Sequence, residues 1–371
     1  MKDVQGYLGG YLERYRDYKD YWNYEDGCVL MGCARLFEAG AGDGYGRYVM
    51  DYLNRRVLPD GSIPTYETTQ YNIDSINSGK LLFFAKRQSG DSRWDKAIEY
   101  HMQRLREHPR CENGSFWHKS IYPHQVWLDG LYMALPFYTD YEMDMGGKRE
   151  VADILRQFDN VRRLMHDSAK GLHYHGWDES RAMFWANPDT GCSPNFWLRS
   201  LGWHLMALVD CCDQMSETLY EHKRRLQDLL LEAVRGLLPY QSQSGLFYQV
   251  ADQPETPGNY EETSGSAMAA YAIMKGARIG ALHRETYAPI GRGIFDSLVR
   301  DKLVDGPQGL QLKDICLVAG LGGQDQRDGS VAYYLSEPRV SDDAKGVGPF
   351  MMAYAEALLQ DAPPRSRRAI T

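Results

Sequence analysis

Asp129 is the residue around which a reactive site can be built. It carries the only formal charge in the run 124–138, a stretch otherwise apolar on nearly every helical face. A helix of that kind is buried all round. Its carboxylate falls in the first turn, beside Gly130 and behind Trp127, at the positive end of the helix and within reach of a substrate. A plain helix cap is the alternative reading. Asp74 opens a similar run, as do Trp22 with Tyr24, Trp197 with Arg199, the pair Glu261 and Glu262, and Lys345. Short extended runs add Lys119 and His175. Carboxylates, cations, an imidazole and aromatic rings together suit a site that grips an acidic sugar and moves protons. His173 and His175 share a strand face, but no third ligand has a natural position, so no metal is expected. No Gly-rich phosphate loop or nucleophile elbow stands out.

The elements that must position these residues repeat. Six runs, 24–37, 74–86, 126–138, 197–211, 263–279 and 347–359, are apolar on most faces and carry a glycine near the start: Gly27, Gly79, Gly130, Gly202, Gly265 and Gly348. Glycine inside a helix costs about 1 kcal/mol against alanine, so its recurrence points to close packing of backbones. Between them come amphipathic, charged helices over 3–18, 44–57, 92–108, 148–165, 217–238 and 285–304, with apolar residues at three- and four-residue steps. After five of these a glycine (Gly61, Gly114, Gly171, Gly245, Gly309) precedes a short alternating run, the pattern of a turn and a short strand. The repeat length is roughly fifty to eighty residues. Twelve helices of which every second one is buried form two concentric rings. The expected fold is all-α, an (α/α)6 barrel, with 1–371 as one catalytic domain. The inner helices begin at one end, which becomes an anion-friendly mouth. The segment 305–345 is expected to fold over that mouth as irregular structure, and the tail 361–371 to fray.

Composition narrows the possibilities. The 371 residues are 43% hydrophobic, enough for a large core. A net charge of -8 argues against nucleic acid as partner. No apolar run of membrane-spanning length occurs, and the first residues lack the apolar core of a signal peptide, so a cytoplasmic location is expected. Seven cysteines make an odd count without metal-ligand spacing, and neither disulfides nor a metal are expected of them. The 26 tyrosines and 8 tryptophans suit a surface both apolar and wet, as a carbohydrate site is.

Several motifs carry a family resemblance. They are Asn-Ile-Asp-Ser-Ile-Asn-Ser-Gly-Lys at 72–80, Trp-Leu-Asp-Gly-Leu-Tyr-Met at 127–133 and Trp-Ala-Asn-Pro-Asp-Thr-Gly-Cys-Ser-Pro at 185–194. With them come Phe196-Trp197-Leu198-Arg199, Thr263-Ser264-Gly265-Ser266-Ala267 and Lys345-Gly346-Val347-Gly348. Together they resemble the unsaturated rhamnogalacturonyl hydrolases of glycoside hydrolase family 105, from Trp22 to Leu359. The resemblance implies the same barrel and a reaction on the sugar that pectin lyases leave at the non-reducing end, whose C4–C5 double bond is conjugated with its carboxylate. Such enzymes protonate C4 and add water at C5; the hemiketal opens and expels the neighbouring sugar. By resemblance, Asp129 gives the proton and assists the water, Asp74 is its partner carboxylate, and His175, Arg199, Trp197, Lys119 and Tyr24 surround the unsaturated ring. A helix N-terminus favours the ionised form of Asp129, and a second carboxylate nearby favours a proton shared by the pair. No cofactor is implied; the partner is a small unsaturated uronyl disaccharide, and a monomer or weak homodimer is expected. An unsaturated glucuronyl hydrolase acting on glycosaminoglycan fragments, a sugar 2-epimerase and an inert sugar-binding barrel are the alternatives. Paired histidine bases would mark the epimerase, and Asp74 and Asp129 would be idle in the inert barrel.

Overall fold

Burial separates the helices into two kinds, as their sequences do. In the computed structural model, which describes residues 2–67 and 69–362, helix α8 (Leu198–Gln214) is buried without interruption from Leu198 to Cys212. Helix α10 (Thr263–Arg278) is buried in the same way from Thr263 to Ala277. Helices α2 (Tyr24–Glu38), α4 (Lys80–Ser89), α6 (Leu128–Asp144) and α13 (Ala344–Asp361) are nearly as enclosed. These six form the inner ring: α2 packs on α4 and the turn before it, then come α6, α8, α10 and α13, and α13 returns to α2. The outer six bury one stripe each. In α9 (Tyr220–Leu237) the stripe is Leu226, Leu229, Leu230, Ala233, Val234 and Leu237, the three- and four-residue spacing that faces a core. The others are α1 (Val4–Arg14), α3 (Asp43–Arg56), α5 (Arg93–Arg106), α7 (Val151–Met165) and α11 (Arg284–Ser297). The chain is an (α/α)6 barrel.

All six inner-ring glycines lie in that ring, though for different reasons. A Cβ on Gly348 would stand 2.4 Å from the Cys28 carbonyl oxygen, so α13 and α2 touch through backbone there. Gly130 is another case: the nearest atom to such a Cβ is 3.5 Å away, and close packing does not require glycine at that position. The ring also departs from regularity at Ile73–Gly79, a 3₁₀ turn capped by Asn72, which precedes α4. The helix expected to begin at Asp74 therefore begins, as an α-helix, at Lys80.

The repeated turn glycines have one conformational cause. Gly61, Gly114, Gly171, Gly245 and Gly309 all adopt φ between 70° and 104°, a region costly for other residues. Strands follow only two of them: β3 (Leu172–His173), paired with β2 (His166–Asp167), and β6 (Gly309–Leu312), paired with β5 (Leu303–Gly306). The other expected runs make isolated bridges or none: Tyr248 bridges Glu261 and Phe116 bridges Arg110, and neither pairing extends into a ladder. One further pair matters for the mouth. Strand β1 (Gln125–Trp127) pairs antiparallel with β4 (Gly176–Asp178), Trp127 opposite Gly176. The segment over the mouth is more ordered than expected. It holds the β5–β6 hairpin and a short helix α12 (Val331–Ser336), and it is pinned where β7 (Ile315–Cys316) meets β8 (Arg339–Val340). The tail from 363 onward lies outside the described residues. All seven cysteines are free and buried, and no described helix is long and apolar enough to cross a membrane.

Candidate active site

Where the inner helices begin, a cavity of about 200 Å³ opens. That is small beside the roughly 300–1,000 Å³ of pockets for drug-sized ligands, and fits one sugar ring better than a chain. Tyr24, Asp74, Lys119, Asp129, Trp197 and Arg199 all line it. His175 lies directly behind Asp129 and is fully buried.

The β1–β4 pair brings Asp129 and His175 together. Trp127 ends β1, and Leu128, the next residue, donates its N–H to the His175 carbonyl at 3.0 Å. The imidazole Nε2 is then 3.3 Å from Asp129 Oδ2, while Nδ1 is 2.8 Å from the Tyr334 hydroxyl. Asp129 is not a cap: the N-cap of α6 is Trp127, and no side chain caps that end. Nor does Asp74 cap the 3₁₀ turn, whose cap is Asn72.

Asp74 has partners of its own. Lys119 Nζ is 2.8 Å from its Oδ2 and His118 Nε2 is 3.8 Å from its Oδ1. Burial works to raise the Asp74 carboxyl, but Lys119 and His118 outweigh it and hold it below the ordinary carboxylate range. Burial also pushes His118 down to about 4, so at neutral pH the counter-charge is that of Lys119. The Lys119 ammonium is raised, Asp74 overcoming the burial that would lower it. Asp74 and Asp129 therefore share a cavity, each with a different basic group beside it.

Arg199 is enclosed by acceptors. Its Nε–H donates to Ser264 Oγ at 2.7 Å, and its guanidinium donates to the carbonyls of Cys316 and Leu317, tying the mouth segment to the ring. Glu262, 3.7 Å from Arg199, is the helix cap of α10: it accepts from Ser264 N, Ser264 Oγ, Gly265 N and Cys316 N. Glu261 accepts from Ser242 and Ser244 and does not line the cavity. Lys345 is paired with Asp343, and Trp22 is buried with its indole N–H on the Ser75 carbonyl. These four of the helix-start residues are structural. His173 packs at a tilt between His166 and His204 away from the cavity, and among the described residues no cluster could hold a metal ion.

Sequence reasoning missed several wall residues. His118 stacks on Trp127 at 4.1 Å with the rings 16° apart; alternation in an extended run would have turned it away from Lys119. Trp203 and Met133 lie one turn deeper on α8 and α6, a spacing that could have been read from Arg199 and Asp129. Glu25, a first-turn carboxylate of α2, carried the same signal as Asp129, whereas Lys19, Tyr122, Val318, Ala319 and Arg327 complete the lining and carry no local signal. Lys19, Lys119, Arg199 and Arg327 stand against Glu25, Asp74 and Asp129, so the cavity is net positive in a chain of net charge -8.

A net-positive, aromatic-walled cavity with three carboxylates, set in an (α/α)6 barrel, suits a glycoside hydrolase for acidic sugars, and the comparisons name the group. The chain belongs to Glycosyl Hydrolase Family 88, whose pattern it matches over residues 10–360. A glycoside hydrolase of family 105 from C. acetobutylicum superposes with a TM-score of 0.91 at 38% identity, covering 96% of this chain and 99% of that one. Protein Atu3128 of Agrobacterium fabrum is 46% identical over 238 residues, 61% of this chain and 99% of its own. The unsaturated rhamnogalacturonyl hydrolase YesR of Bacillus subtilis is 25% identical over 264 residues, 70% of this chain and 72% of its own. The chain is thus a glycosidase of the unsaturated uronyl hydrolase group.

Proposed function

We propose that this enzyme releases the unsaturated galacturonyl residue from the non-reducing end of rhamnogalacturonan oligosaccharides by hydrating its C4–C5 double bond. The observation that carries the reading is the cavity itself: one ring in size, net positive, with Asp129 and Asp74 in its wall. The similarity to YesR favours the rhamnose-linked substrate. Asp129, protonated in the substrate complex, gives its proton to C4. Water then adds at C5 and loses a proton to the Asp129 carboxylate, so one group serves as acid and then as base. The hemiketal so formed opens and expels the neighbouring sugar. Lys19, Lys119, Arg199 and Arg327 offset the substrate carboxylate, and Trp197 offers an aromatic face to the ring. Asp74, held ionised by Lys119, accepts hydrogen bonds from ring hydroxyls.

The test is incubation with unsaturated rhamnogalacturonan disaccharide while following loss of the ultraviolet absorbance of the conjugated double bond. A parallel series uses unsaturated glycosaminoglycan disaccharides. The expected result is a higher kcat/KM on the rhamnose-linked substrate. A higher value on the glycosaminoglycan fragments would overturn the substrate assignment, and absence of turnover on every unsaturated uronide would overturn the reaction.

A further inference from the structure

Tyr334 is separated from His175 by 159 residues, yet its hydroxyl is the neighbour of the imidazole Nδ1, at 2.8 Å. It reaches the site on α12, in the segment folded over the mouth. Both side chains are fully buried, and the Tyr334 ring lies parallel to Trp197 with centroids 6.1 Å apart and planes 9° apart. Among the described residues His175 is the sole hydrogen-bond partner of that hydroxyl. A buried O–H left without an acceptor is costly. Donation by the hydroxyl to Nδ1 would satisfy it and would leave the hydrogen of the imidazole on Nε2. Nε2 faces Asp129 Oδ2.

We infer that Tyr334 is a positioning residue: it sets the His175 tautomer so that Nε2–H is directed at Asp129 Oδ2 and turns Asp129 Oδ1 toward the substrate. This deepens the proposed reaction and rests on it for its catalytic consequence. Asp129 Oδ2 and His175 Nε2 are both buried without a hydrogen bond in this structure and stand 3.3 Å apart, so a modest turn of either satisfies both, while the Asp129 side chain lines the cavity. While Asp129 is ionised, the opposite tautomer would set the bare Nε2 against a carboxylate oxygen, lone pair against lone pair, with nothing to hold the carboxylate's rotation. Trp127 and Trp197 pack against the imidazole, at 5.5 and 4.8 Å between ring centroids, and confine the ring without offering it a hydrogen-bond acceptor or a charge.

The decisive variant is Tyr334→Phe, which keeps the ring beside Trp197 and removes only the hydroxyl. The primary readout is the nitrogen-15 spectrum of the histidine rings in the full chain, with the His175 signals assigned by their loss in His175→Gln. In wild type His175 should show the Nε2–H tautomer, and in Tyr334→Phe a mixture of tautomers. An Nδ1–H tautomer in wild type, or a spectrum unmoved by Tyr334→Phe, would overturn the inference whether or not the enzyme turns over the proposed substrate. On unsaturated uronyl disaccharide, Tyr334→Phe should lower kcat about tenfold with KM within twofold, the equivalent of about 1.4 kcal/mol. In a His175→Gln background the same change should add nothing. An undiminished effect there would mean that the hydroxyl acts by another route. Substrate inactivity of the wild type would refute the proposed reaction while leaving the tautomer result to stand or fall by its own spectrum.

Discussion

Replacing Asp129 by Asn takes away a proton carrier and little else. The carboxyl does not cap α6, so the helix end loses no capping bond. Asn Oδ1 can still accept from the His175 Nε2–H, with the amide NH₂ taking the place of Asp129 Oδ1 at the cavity. What disappears is the charge-assisted part of that contact, a matter of about 1 kcal/mol, so the melting temperature should move by a few degrees at most. Turnover should behave differently. General acid–base catalysis contributes typically about 10²–10⁴-fold, and here one group is proposed to serve in both half-steps. The loss should therefore lie at or above about 10⁴-fold. The assay is the decay of ultraviolet absorbance of unsaturated rhamnogalacturonan disaccharide at saturating concentration. Calorimetric titration of the variant with the same disaccharide should show near-normal binding. Folded Asp129→Asn protein retaining more than roughly a tenth of wild-type turnover would refute the assignment, since no general acid–base role is that small.

Lys119→Met should strand the buried Asp74 carboxylate and cost about 3 kcal/mol at pH 7, read from urea midpoints. In wild type the depressed Asp74 adds stability above about pH 4 and loses it on further acidification; in the variant burial raises the carboxyl, so stability should instead fall as pH rises from about 4 to 7. Gly348→Ala should destabilise by about 1–3 kcal/mol, because the Cβ meets the Cys28 backbone, while Gly130→Ala should melt at or above the wild-type temperature, by up to about 1 kcal/mol in stability. Arg199→Ala should raise KM more than it lowers kcat, and should also lower the melting temperature, because the guanidinium holds the carbonyls of Cys316 and Leu317; unchanged stability would show that those two contacts hold nothing.

Much of the molecule was legible in the chain because the signals concerned are local. Burial on every face of 198–212 against a stripe in 220–237 follows from residue types at fixed steps, and it separates inner from outer helices without reference to any contact. A glycine needed for positive φ marks the turn after five outer helices. Once inner helices are known, ring closure brings their first turns to one end, so Asp74, Asp129, Trp197 and Arg199 can be named from position alone. Position alone does not decide what each one does there. Glu262 and Lys345 occupy the same kind of position, yet one caps α10 and the other pairs with Asp343, because a side chain turns toward whichever partner is nearest after packing. Lys19 and Arg327 come from irregular segments without a period and Tyr334 from the short helix α12, and their places depend on how those segments cross the mouth. That Lys119 belongs to Asp74 and His175 to Asp129 was settled by the β1–β4 register and the 3₁₀ turn at Ile73–Gly79. Both are features of long-range packing, where a rotation of one residue step would have exchanged the face presented to the cavity.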